Sequence, residues 1–319
     1  MLSPLLTPFL HEVLSECSAR DPEYALGRDR AKRIASVLMN DEESGVYDWR
    51  LSGSAGKGTA LAPLSDVDMV VYMDGAEWRD DCGRWLPPDE LLDWLEARIE
   101  YALTWHIQGR YLEVVRQRRC VGVRYFREGS VDIDVVPILV ANGVKEHGWI
   151  PDPVVGRYRS TSIERQFALL NALDTRRRDV RAGIRLLKLW AKNHELALKS
   201  YAVEVLGLYA AWSGATKSPA GIFWWVLDGL AEGLLDECVE IPEYFSAPEC
   251  DDDIQIFDPA DRDNNLTADL SADEGWEIAK LARATLADLR DAERRLSARR
   301  RVGAREAVLS AFGLEPDDE

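Results

Sequence analysis

Long apolar runs, cysteine pairs and excess positive charge are all missing from this 319-residue sequence. No apolar run approaches the roughly eighteen residues that a membrane helix needs, so we expect no membrane segment. The five cysteines are scattered, odd in number and never in C-x-x-C spacing. They argue against a disulfide framework or a zinc site and predict a protein of the reducing cytoplasm.

Basic residues are outnumbered, with 39 Lys and Arg against 56 Asp and Glu and a formal net charge of −17. Proteins that bind nucleic acid constitutively usually carry a basic footprint. We therefore expect no large duplex-binding surface, although such a net charge does not exclude a local basic groove.

Hydrophobic residues make up 46% of the chain, which predicts a packed globular protein of one or two domains.

The chain is organised around residues 51–73. A strand is predicted to lead into a glycine-rich turn at 53–59, and a second strand begins with Asp66 and Asp68. Side chains at i and i+2 of a strand share a face, so both carboxylates can serve one metal centre, and hard oxygen ligands suit Mg²⁺ with substrate phosphates. Glycines let backbone N–H groups approach phosphate, and Ser54 adds a hydroxyl. The stretch predicts a nucleoside triphosphate site for two-metal phosphoryl transfer.

A P-loop does not explain this stretch, because that motif needs Gly-Lys followed directly by Ser or Thr. Here Lys57 is followed by Gly58, and Thr59 comes one position late. A tight hairpin with a solvated aspartate pair is the purely structural alternative. Gly-Ser followed by a spaced Ser-Asp-x-Asp at the start of an apolar strand is much more specific than a bare Gly-Ser turn. We therefore favour the functional interpretation.

Gly-Ser-x-Gly-Lys-Gly-Thr, a short linker and then Ser65-Asp66-Val67-Asp68 resemble the DNA polymerase β-like nucleotidyltransferases. Within that superfamily the sequence is most similar to the 2′-5′-oligoadenylate synthases and their bacterial relatives, the cGAS/DncV-like nucleotidyltransferases (CD-NTases). The resemblance implies an α/β enzyme with a mixed-sheet palm lobe, a helical C-terminal lobe and the active site in the cleft between them. We place the palm lobe with its N-terminal helices at residues 1–158 and the helical lobe at 159–319.

The polymerase β-like mechanism needs a third carboxylate from a neighbouring strand, near the attacking hydroxyl that it can help to deprotonate. The predicted strand 131–140 carries Asp132 and Asp134 on one face and aliphatic side chains on the other. The segment resembles the acid-Phe-Asp-Val-Leu-Pro pattern of the oligoadenylate synthases, which places the catalytic acid at Asp134. Asp132 remains the alternative one repeat away, and an exposed structural acid pair is the other interpretation.

In the predicted helical lobe, the resemblance points to two more pairs of residues. Arg185 and Lys188 lie three apart on one helix face, in an Arg-x-x-Lys-x-Trp segment like the one with which oligoadenylate synthases hold the donor triphosphate. Ser200 and Tyr201 match a polar residue that touches phosphate and a tyrosine that stacks on the donor base. Without the resemblance, a solvated basic face and a core aromatic would be the ordinary interpretations.

Two C-terminal features have no predicted chemistry. Residues 256–265 resemble the Asp-Pro-Ala-Asp-x-x-x-Asn segment of oligoadenylate synthases, and we expect a structural turn inside an irregular acidic stretch, 246–271. A final helix over about 272–301 ends in a group of arginines. Acids are interleaved with them, so a solvated face is the expectation.

The resemblance implies that the catalytic, metal-binding carboxylates are Asp66, Asp68 and Asp134, which hold two Mg²⁺ ions, or Mn²⁺ in their place. The implied nucleotide-binding residues are Gly53, Ser54, Arg185, Lys188, Ser200 and Tyr201. With ATP or another NTP as donor, a ribose hydroxyl attacks the α-phosphate and pyrophosphate leaves. The bacterial members make cyclic di- or trinucleotides that switch on an effector during phage infection, which is the function we expect.

Three other functions stay open. The first is a linear 2′-5′ oligoadenylate synthase activated by double-stranded RNA, which the acidic charge disfavours. The second is an RNA-tailing nucleotidyltransferase, and the third is an inactive nucleotide- or partner-binding scaffold, against which the intact carboxylate set argues. The sequence indicates no protein partner. The bases used, the linkage and cyclisation depend on positions finer than sequence patterns set.

Overall fold

The computed structural model describes residues 4–18, 21–106, 112–126, 130–177, 179–214, 218–243 and 254–315. The chain folds as two compact units. The sheet unit is Ala19–Phe167, and the helical unit combines Met1–Ser18 with Ala168–Glu319. The predicted functional lobes, 1–158 and 159–319, stay a prediction.

The helices are α1 (Thr7–Cys17), α2 (Asp21–Asn40), α3 (Gly53–Lys57), α4 (Pro88–His106), α5 (Ile163–Arg177), α6 (Val180–Asn193), α7 (Ser200–Trp212), α8 (Pro219–Glu232), α9 (Ala272–Ser297) and α10 (Arg301–Ala311). The strands are β1 (Val46–Leu51), β2 (Asp66–Asp74), β3 (Leu112–Arg116), β4 (Val121–Tyr125), β5 (Asp132–Ala141), β6 (Val144–Asp152), β7 (Arg157–Thr161), β8 (Cys238–Val239), β9 (Gln255–Asp258) and β10 (Asp261–Asn265).

Strands β1 to β7 form one mixed sheet in the sheet unit. Its order is β1-β2-β5-β4-β3, with β6 joined to β5 and then to β7. The pair β2 and β5 is parallel, whereas β1–β2, β3–β4, β4–β5, β5–β6 and β6–β7 are antiparallel. The α/β architecture with a mixed sheet agrees with the sequence prediction.

Alternation along β2 and β5 sends successive side chains to opposite faces of the sheet. One face packs into the main core, to which β2, β5, α2 and α4 contribute Val67, Met69, Val71, Ile133, Val135, Ile34, Leu38, Leu91 and Leu95. The other face carries a smaller apolar cluster of Val70, Tyr72, Ile138 and Val140, with Val136, Ile150 and Ile163 packed against it. Full burial of one such side chain is worth about 1.5–3 kcal/mol. The larger cluster therefore determines which face of the sheet packs against α2 and α4.

The helical unit is built mainly from α6 to α10. The most amphipathic helix is α6, and it buries Ile184, Leu187 and Trp190. Its Trp190 Nε1 donates a hydrogen bond to Thr285 Oγ1 of α9 at 2.9 Å. A small sheet of order β10-β9-β8 lies in the same unit.

Three expected elements differ from the structure. Residues 141–160, expected as a connection, contain β6 and β7, and the predicted irregular stretch 246–271 contains β9 and β10. The turn before β6 is Asn142-Gly143, both with positive φ (52° and 74°). Asn-Gly is the strongest short hairpin signal in a sequence. The polar residues along β6 do not show the apolar pattern of a strand, so the hairpin was not predicted. The single C-terminal helix is two, α9 and α10, separated at Arg299, whose φ is +60°.

No helix among the described residues is long and apolar enough to cross a membrane. Cys17, Cys82 and Cys120 are free thiols, whereas Cys238 is disulfide-bonded. The sequence argued against a disulfide framework and did not indicate this single bond, because spacing along the chain does not limit which residues the fold brings together.

Candidate active site

Four aspartates stand on one face of two adjacent parallel strands. In the register of β2 with β5, Asp66 is paired with Asp132 and Asp68 with Asp134. Neighbouring strands lie about 4.8 Å apart, and residues two apart on a strand are about 7 Å apart. The structure therefore brings the three predicted carboxylates together, with Asp132 as a fourth member of this carboxylate group.

The buried neighbours of these aspartates explain why they share a face. Val67, Ile133 and Val135 alternate with them and are at most 1% exposed in the main core. A slip of one residue would bury the aspartates and expose the aliphatic side chains, so the hydrophobic pattern specifies the register. The prediction that Asp132 and Asp134 lie on one face and the aliphatic residues on the other is confirmed.

Two polar side chains hold the carboxylate of Asp134. Arg124 Nη2 lies 2.9 Å from Asp134 Oδ1, and Gln117 Nε2 donates a hydrogen bond to the same oxygen at 3.1 Å. Arg124 also faces Asp132, with 3.6 Å between Nη1 and Oδ2. Burial raises the pKa of Asp134, the Arg124 guanidinium opposes the rise, and the Asp66 and Asp132 charges add to it.

Arg124 and Gln117 were missed by the sequence reasoning. A Cβ on Gly122, the partner of Asp134 on β4, would lie 2.6 Å from Gln117 Nε2 and 2.7 Å from Arg124 Nη2. The glycine therefore makes the space through which both side chains reach Asp134. The signal available in sequence was a strand, Val121–Tyr125, with a glycine and an arginine two apart on one face.

The glycine-rich stretch forms the short helix α3 rather than an open turn. Gly53 has a φ of +56°, and Gly58, the residue that caps the C-terminus of α3, has a φ of +70°. A Cβ on Gly53 would lie only 1.8 Å from Asp68 Oδ2, so the absent side chain lets α3 pack against the carboxylate. Ser52 N–H donates to the Asp68 carbonyl at 2.8 Å, which fixes α3 beside β2. Ser54 is the next residue of α3 and is partly buried.

The four predicted nucleotide-binding residues of the helical unit differ in exposure. Ser200 is exposed at the first position of α7, and Arg185 is half-buried on α6. Lys188 is only 6% exposed, and its Nζ lies 3.0 Å from Oε2 of the equally buried Glu204. Lys188 thus faces a carboxylate from α7, a partner that the helix periodicity of α6 alone could not indicate.

Tyr201 is tied to the segment that had no predicted role. Its hydroxyl donates to Asp258 Oδ1 at 2.8 Å. Asp258 is 3% exposed, and it also accepts from Ala260 N–H at 2.8 Å and Asn264 Nδ2 at 3.2 Å. Burial, then the Asp258 charge, raises the pKa of Tyr201 well above its ordinary value, so the phenol stays a donor. The expected structural turn is therefore also the anchor of Tyr201.

The carboxylate group has the ligand chemistry of a divalent-cation site. Hard carboxylate oxygens from Asp66, Asp68 and Asp134 are the type that Mg²⁺ prefers. Across the described ranges, no three His, Cys, Asp or Glu side chains already converge as a metal cage, and Asp134 is turned toward Arg124 and Gln117. The donor type and the strand register fit a divalent cation, whereas the side-chain directions are set here by hydrogen bonds.

Two curated relatives are similar to this chain. An Escherichia coli (strain KTE188) CBASS oligonucleotide cyclase CdnC is 28% identical over 236 residues, 72% of each chain. A cyclic AMP-AMP-AMP synthase of Escherichia coli (strain MS 115-1) is 29% identical over 189 residues, 56% of each.

The fold is also similar to a solved structure, that of E. coli MS115-1 CdnC with ATP. The TM-score is 0.79 at 22% identity, over 98% of both chains. This likeness shows the polymerase β-like fold of the CD-NTases, as the sequence predicted.

A model of one protein family matches residues 12–172, half of the chain. Its description is SMODS, Second Messenger Oligonucleotide or Dinucleotide Synthetase domain. The match includes α2, the carboxylate group and β1 to β7. The chain therefore belongs to the SMODS family of nucleotidyltransferases, within the CD-NTase and oligoadenylate synthase-like enzymes.

Proposed function

We propose that this enzyme joins NTPs, ATP among them, into a cyclic di- or trinucleotide second messenger in a Mg²⁺-dependent reaction that serves bacterial antiphage signalling. The observation that carries the proposal is the register that pairs Asp66 with Asp132 and Asp68 with Asp134 on one sheet face. Similarity to an oligonucleotide cyclase and to a cyclic AMP-AMP-AMP synthase supports a cyclic product.

In the proposed reaction, a ribose hydroxyl attacks the donor α-phosphorus, the bond to the bridging oxygen breaks, and pyrophosphate leaves. Asp66, Asp68 and Asp134 would hold two Mg²⁺ ions, which neutralise phosphate charge and favour the alkoxide form of the hydroxyl. Asp134 takes up the hydroxyl proton. Gln117 and Arg124 keep its carboxylate at the open face of β5.

Donor binding is proposed for residues of each unit. In the sheet unit, the Gly53 backbone and the Ser54 hydroxyl bind phosphate beside Asp68. In the helical unit, the phosphate ligands are Arg185, Lys188 and Ser200, and the Tyr201 ring stacks on the donor base. Lys188 can take this role only if its ammonium group is shared between phosphate and Glu204.

The test is product analysis with purified protein, all four radiolabelled NTPs and Mg²⁺, without nucleic acid, followed by phosphatase treatment. We expect a phosphatase-resistant product that an Asp66→Asn/Asp68→Asn variant does not form. Omitting each NTP in turn identifies the bases. A phosphatase-sensitive ladder would instead indicate linear oligoadenylates, and product that grows only on an added RNA primer would indicate RNA tailing. A lack of product both with and without double-stranded RNA would favour an enzyme that needs another activator or an inactive scaffold.

Replacing Gly53 with alanine is expected to lower oligonucleotide synthesis on the order of 100-fold, because small displacements of reacting groups are that costly. The new Cβ would collide with Asp68 Oδ2 and force the carboxylate to move. The measurement is initial-rate pyrophosphate release.

Gly83→Ala is the matched control for the Gly53 variant. Gly83 also has a positive φ, +78°, but a Cβ there meets nothing within 4 Å. Both variants therefore carry the left-handed backbone cost of about 1–2 kcal/mol, and only Gly53→Ala moves Asp68. Equal activity of the two variants would show that the contact with Asp68 is unimportant.

Tyr201→Phe and Asp258→Asn are each expected to raise the KM for the donor NTP about threefold to tenfold, with little change in kcat. The hydroxyl–carboxylate hydrogen bond orients the ring and is worth about 1.5–3 kcal/mol. Only part of that energy affects the KM, in which a tenfold change is about 1.4 kcal/mol, because the bond orients the ring and does not itself join the nucleotide. Tyr201→Phe removes this hydrogen bond, and Asp258→Asn removes the negative charge from its acceptor. Because both changes act on the same interaction, the double variant should raise the KM no more than the more severe single variant.

Two further variants distinguish the orientation of the Tyr201 ring from the stacking of the ring on the donor base. Tyr201→Ala should weaken donor binding more, since base–aromatic stacking is worth about 1–3 kcal/mol. Tyr209→Phe, on the same helix and packed on Trp212, should leave the KM unchanged. An unaltered KM in Tyr201→Ala would remove Tyr201 from the donor site.

A further inference from the structure

Three arginines of the sheet unit surround one buried carboxylate, that of Asp152. Arg118 reaches it through Nε at 3.1 Å from Oδ1 and Nη2 at 3.2 Å from Oδ2. Arg119 Nε donates to Oδ2 at 3.0 Å, and Arg159 Nε lies 2.9 Å from the same oxygen. We call Arg118, Arg119 and Arg159 the arginine cluster.

The arginine cluster carries more positive charge than its partner neutralises. Asp152 is the carboxylate that all three pair with in the described part of the chain. Its side chain is 0% exposed, whereas those of Arg118, Arg119 and Arg159 are 52%, 35% and 37% exposed. Asp152 thus holds the three guanidinium groups from the buried side, and the exposed parts of the arginine side chains face solvent. Three positive charges against one carboxylate leave the cluster with a net charge of +2.

The arginine cluster adjoins the carboxylate group. Gln117 and Arg118 are consecutive residues of the β3–β4 turn, and the first contacts Asp134 while the second contacts Asp152. Asp152 lies two residues after Ile150 on β6, and Arg159 is the β7 partner of Ile150. Since Ile150 packs with Ile138 on the face that carries Asp134, the cluster and Asp134 lie on the same face of the sheet.

The chemistry of this cluster matches a phosphate chain. Guanidinium groups bind phosphate oxygens with two parallel hydrogen bonds and stay charged at any physiological pH. Three of them held at one carboxylate present donors in several directions, as several neighbouring phosphates require. The donor triphosphate has its own proposed ligands, Gly53 and Ser54 beside Asp68, on the opposite side of the carboxylate group from β4.

We propose that the arginine cluster binds the 5′-triphosphate of the acceptor nucleotide, an inference that rests on the proposed function. In the first step the acceptor is itself an NTP, whose ribose hydroxyl must reach Asp134 while its phosphates need cationic ligands other than those of the donor. The arginine cluster, next to Asp134 through the Gln117–Arg118 turn, provides them. The enzyme consequently selects an NTP over a nucleoside as acceptor.

The first experiment measures acceptor choice as a product ratio. The enzyme receives labelled ATP and a tenfold excess of adenosine, which can accept but cannot donate, or the NTP and nucleoside pair that product analysis identifies. We expect ATP-primed dinucleotide to dominate in the wild type. In Arg119→Gln and Arg159→Gln the ratio of ATP-primed to adenosine-primed product should fall about tenfold. Each variant leaves Asp152 paired with two arginines, so the fold should persist.

Arg84→Gln is the matched control, because Arg84 is an exposed arginine of the same unit that pairs with Asp80. It should keep the wild-type product ratio. The ratio is an internal competition, so a general loss of activity or of folded protein does not change it. An unchanged ratio in both cluster variants would overturn the proposal.

A second measurement does not depend on catalysis. Titration calorimetry uses inorganic tripolyphosphate without divalent metal, because the proposed donor site depends on metal ions to neutralise phosphate charge. The affinity of the remaining binding should fall at least tenfold in both cluster variants and not in Arg84→Gln. If the wild type makes no oligonucleotide, the proposed function fails and this titration alone decides whether the cluster is a polyphosphate site. Wild-type tripolyphosphate binding in both variants, with a loss only in unfolding temperature, would make the cluster purely structural.

Discussion

Asp134→Asn is expected to lower the rate of nucleotide transfer by about 10³-fold or more while the protein stays folded. Asparagine keeps the shape of the side chain and its contact with Gln117, but it loses the negative charge that a divalent cation and the hydroxyl proton both need. Several kcal/mol of transition-state stabilisation depend on such a charge, and each 1.36 kcal/mol is a tenfold change in rate. Pyrophosphate release under single-turnover conditions measures the chemical step.

Asp132→Asn provides the matched comparison on the same strand face. The two oxygens of Asp132 are already engaged, Oδ1 by Tyr125 N–H at 2.9 Å and Oδ2 by Arg124. The contacts of Asp134 with Gln117 and Arg124 are both at Oδ1, and its register partner is Asp68, the carboxylate beside Gly53. We therefore expect Asp132→Asn to cost no more than about tenfold, through the altered position of Arg124.

The opposite result of this comparison would contradict the assignment of Asp134. A severe loss of activity in Asp132→Asn with a mild one in Asp134→Asn would identify Asp132 as the third catalytic carboxylate. Equal, mild losses would mean that the carboxylate group does not perform the chemistry. Thermal unfolding of each variant, together with its binding of Mn²⁺ in the absence of nucleotide, separates a lost ligand from a lost fold.

The carboxylate group could be predicted from sequence because its determinants are local. Period-two alternation of Asp132 and Asp134 with buried aliphatic residues sets the face, and the motif around Asp66 and Asp68 sets the chemistry. The expectation that the third carboxylate lies on a neighbouring strand then follows from the resemblance to a known fold, whereas the parallel pairing of β2 with β5 is seen only in the structure. Nothing in these steps needs a contact between distant polar side chains.

The supporting residues could not be predicted because their partners are distant in sequence. Arg124 and Gln117 reach Asp134 from β4 and from the turn before it, through space left by Gly122. The alternation of polar and apolar residues along one strand does not indicate which side chain of another strand it will contact. Likewise, the segment that contains Asp258 is recognisable in sequence, but its link to Tyr201 exists only in the folded helical unit.

Lys188→Met is expected to lower the free energy of unfolding by about 3–5 kcal/mol, the cost of leaving one partner of a buried ion pair without its countercharge. Lys188 is 6% and Glu204 2% exposed, so water cannot replace the missing ammonium group. Denaturant unfolding of the purified variant gives the value. A change below about 1 kcal/mol would show that the pair behaves as a surface ion pair.

The double variant Lys188→Met/Glu204→Leu decides what Lys188 does. Replacing a whole buried ion pair by apolar side chains is often neutral or stabilising, so this protein should recover most of the stability that Lys188→Met loses. Its affinity for ATP is then free of the folding defect. If ATP binding stays weak in the recovered protein, Lys188 binds the donor phosphates and Glu204 holds it ready for them. If ATP binds as tightly as in the wild type, Lys188 serves only to neutralise Glu204, and the proposed phosphate contacts of the helical unit reduce to Arg185 and Ser200.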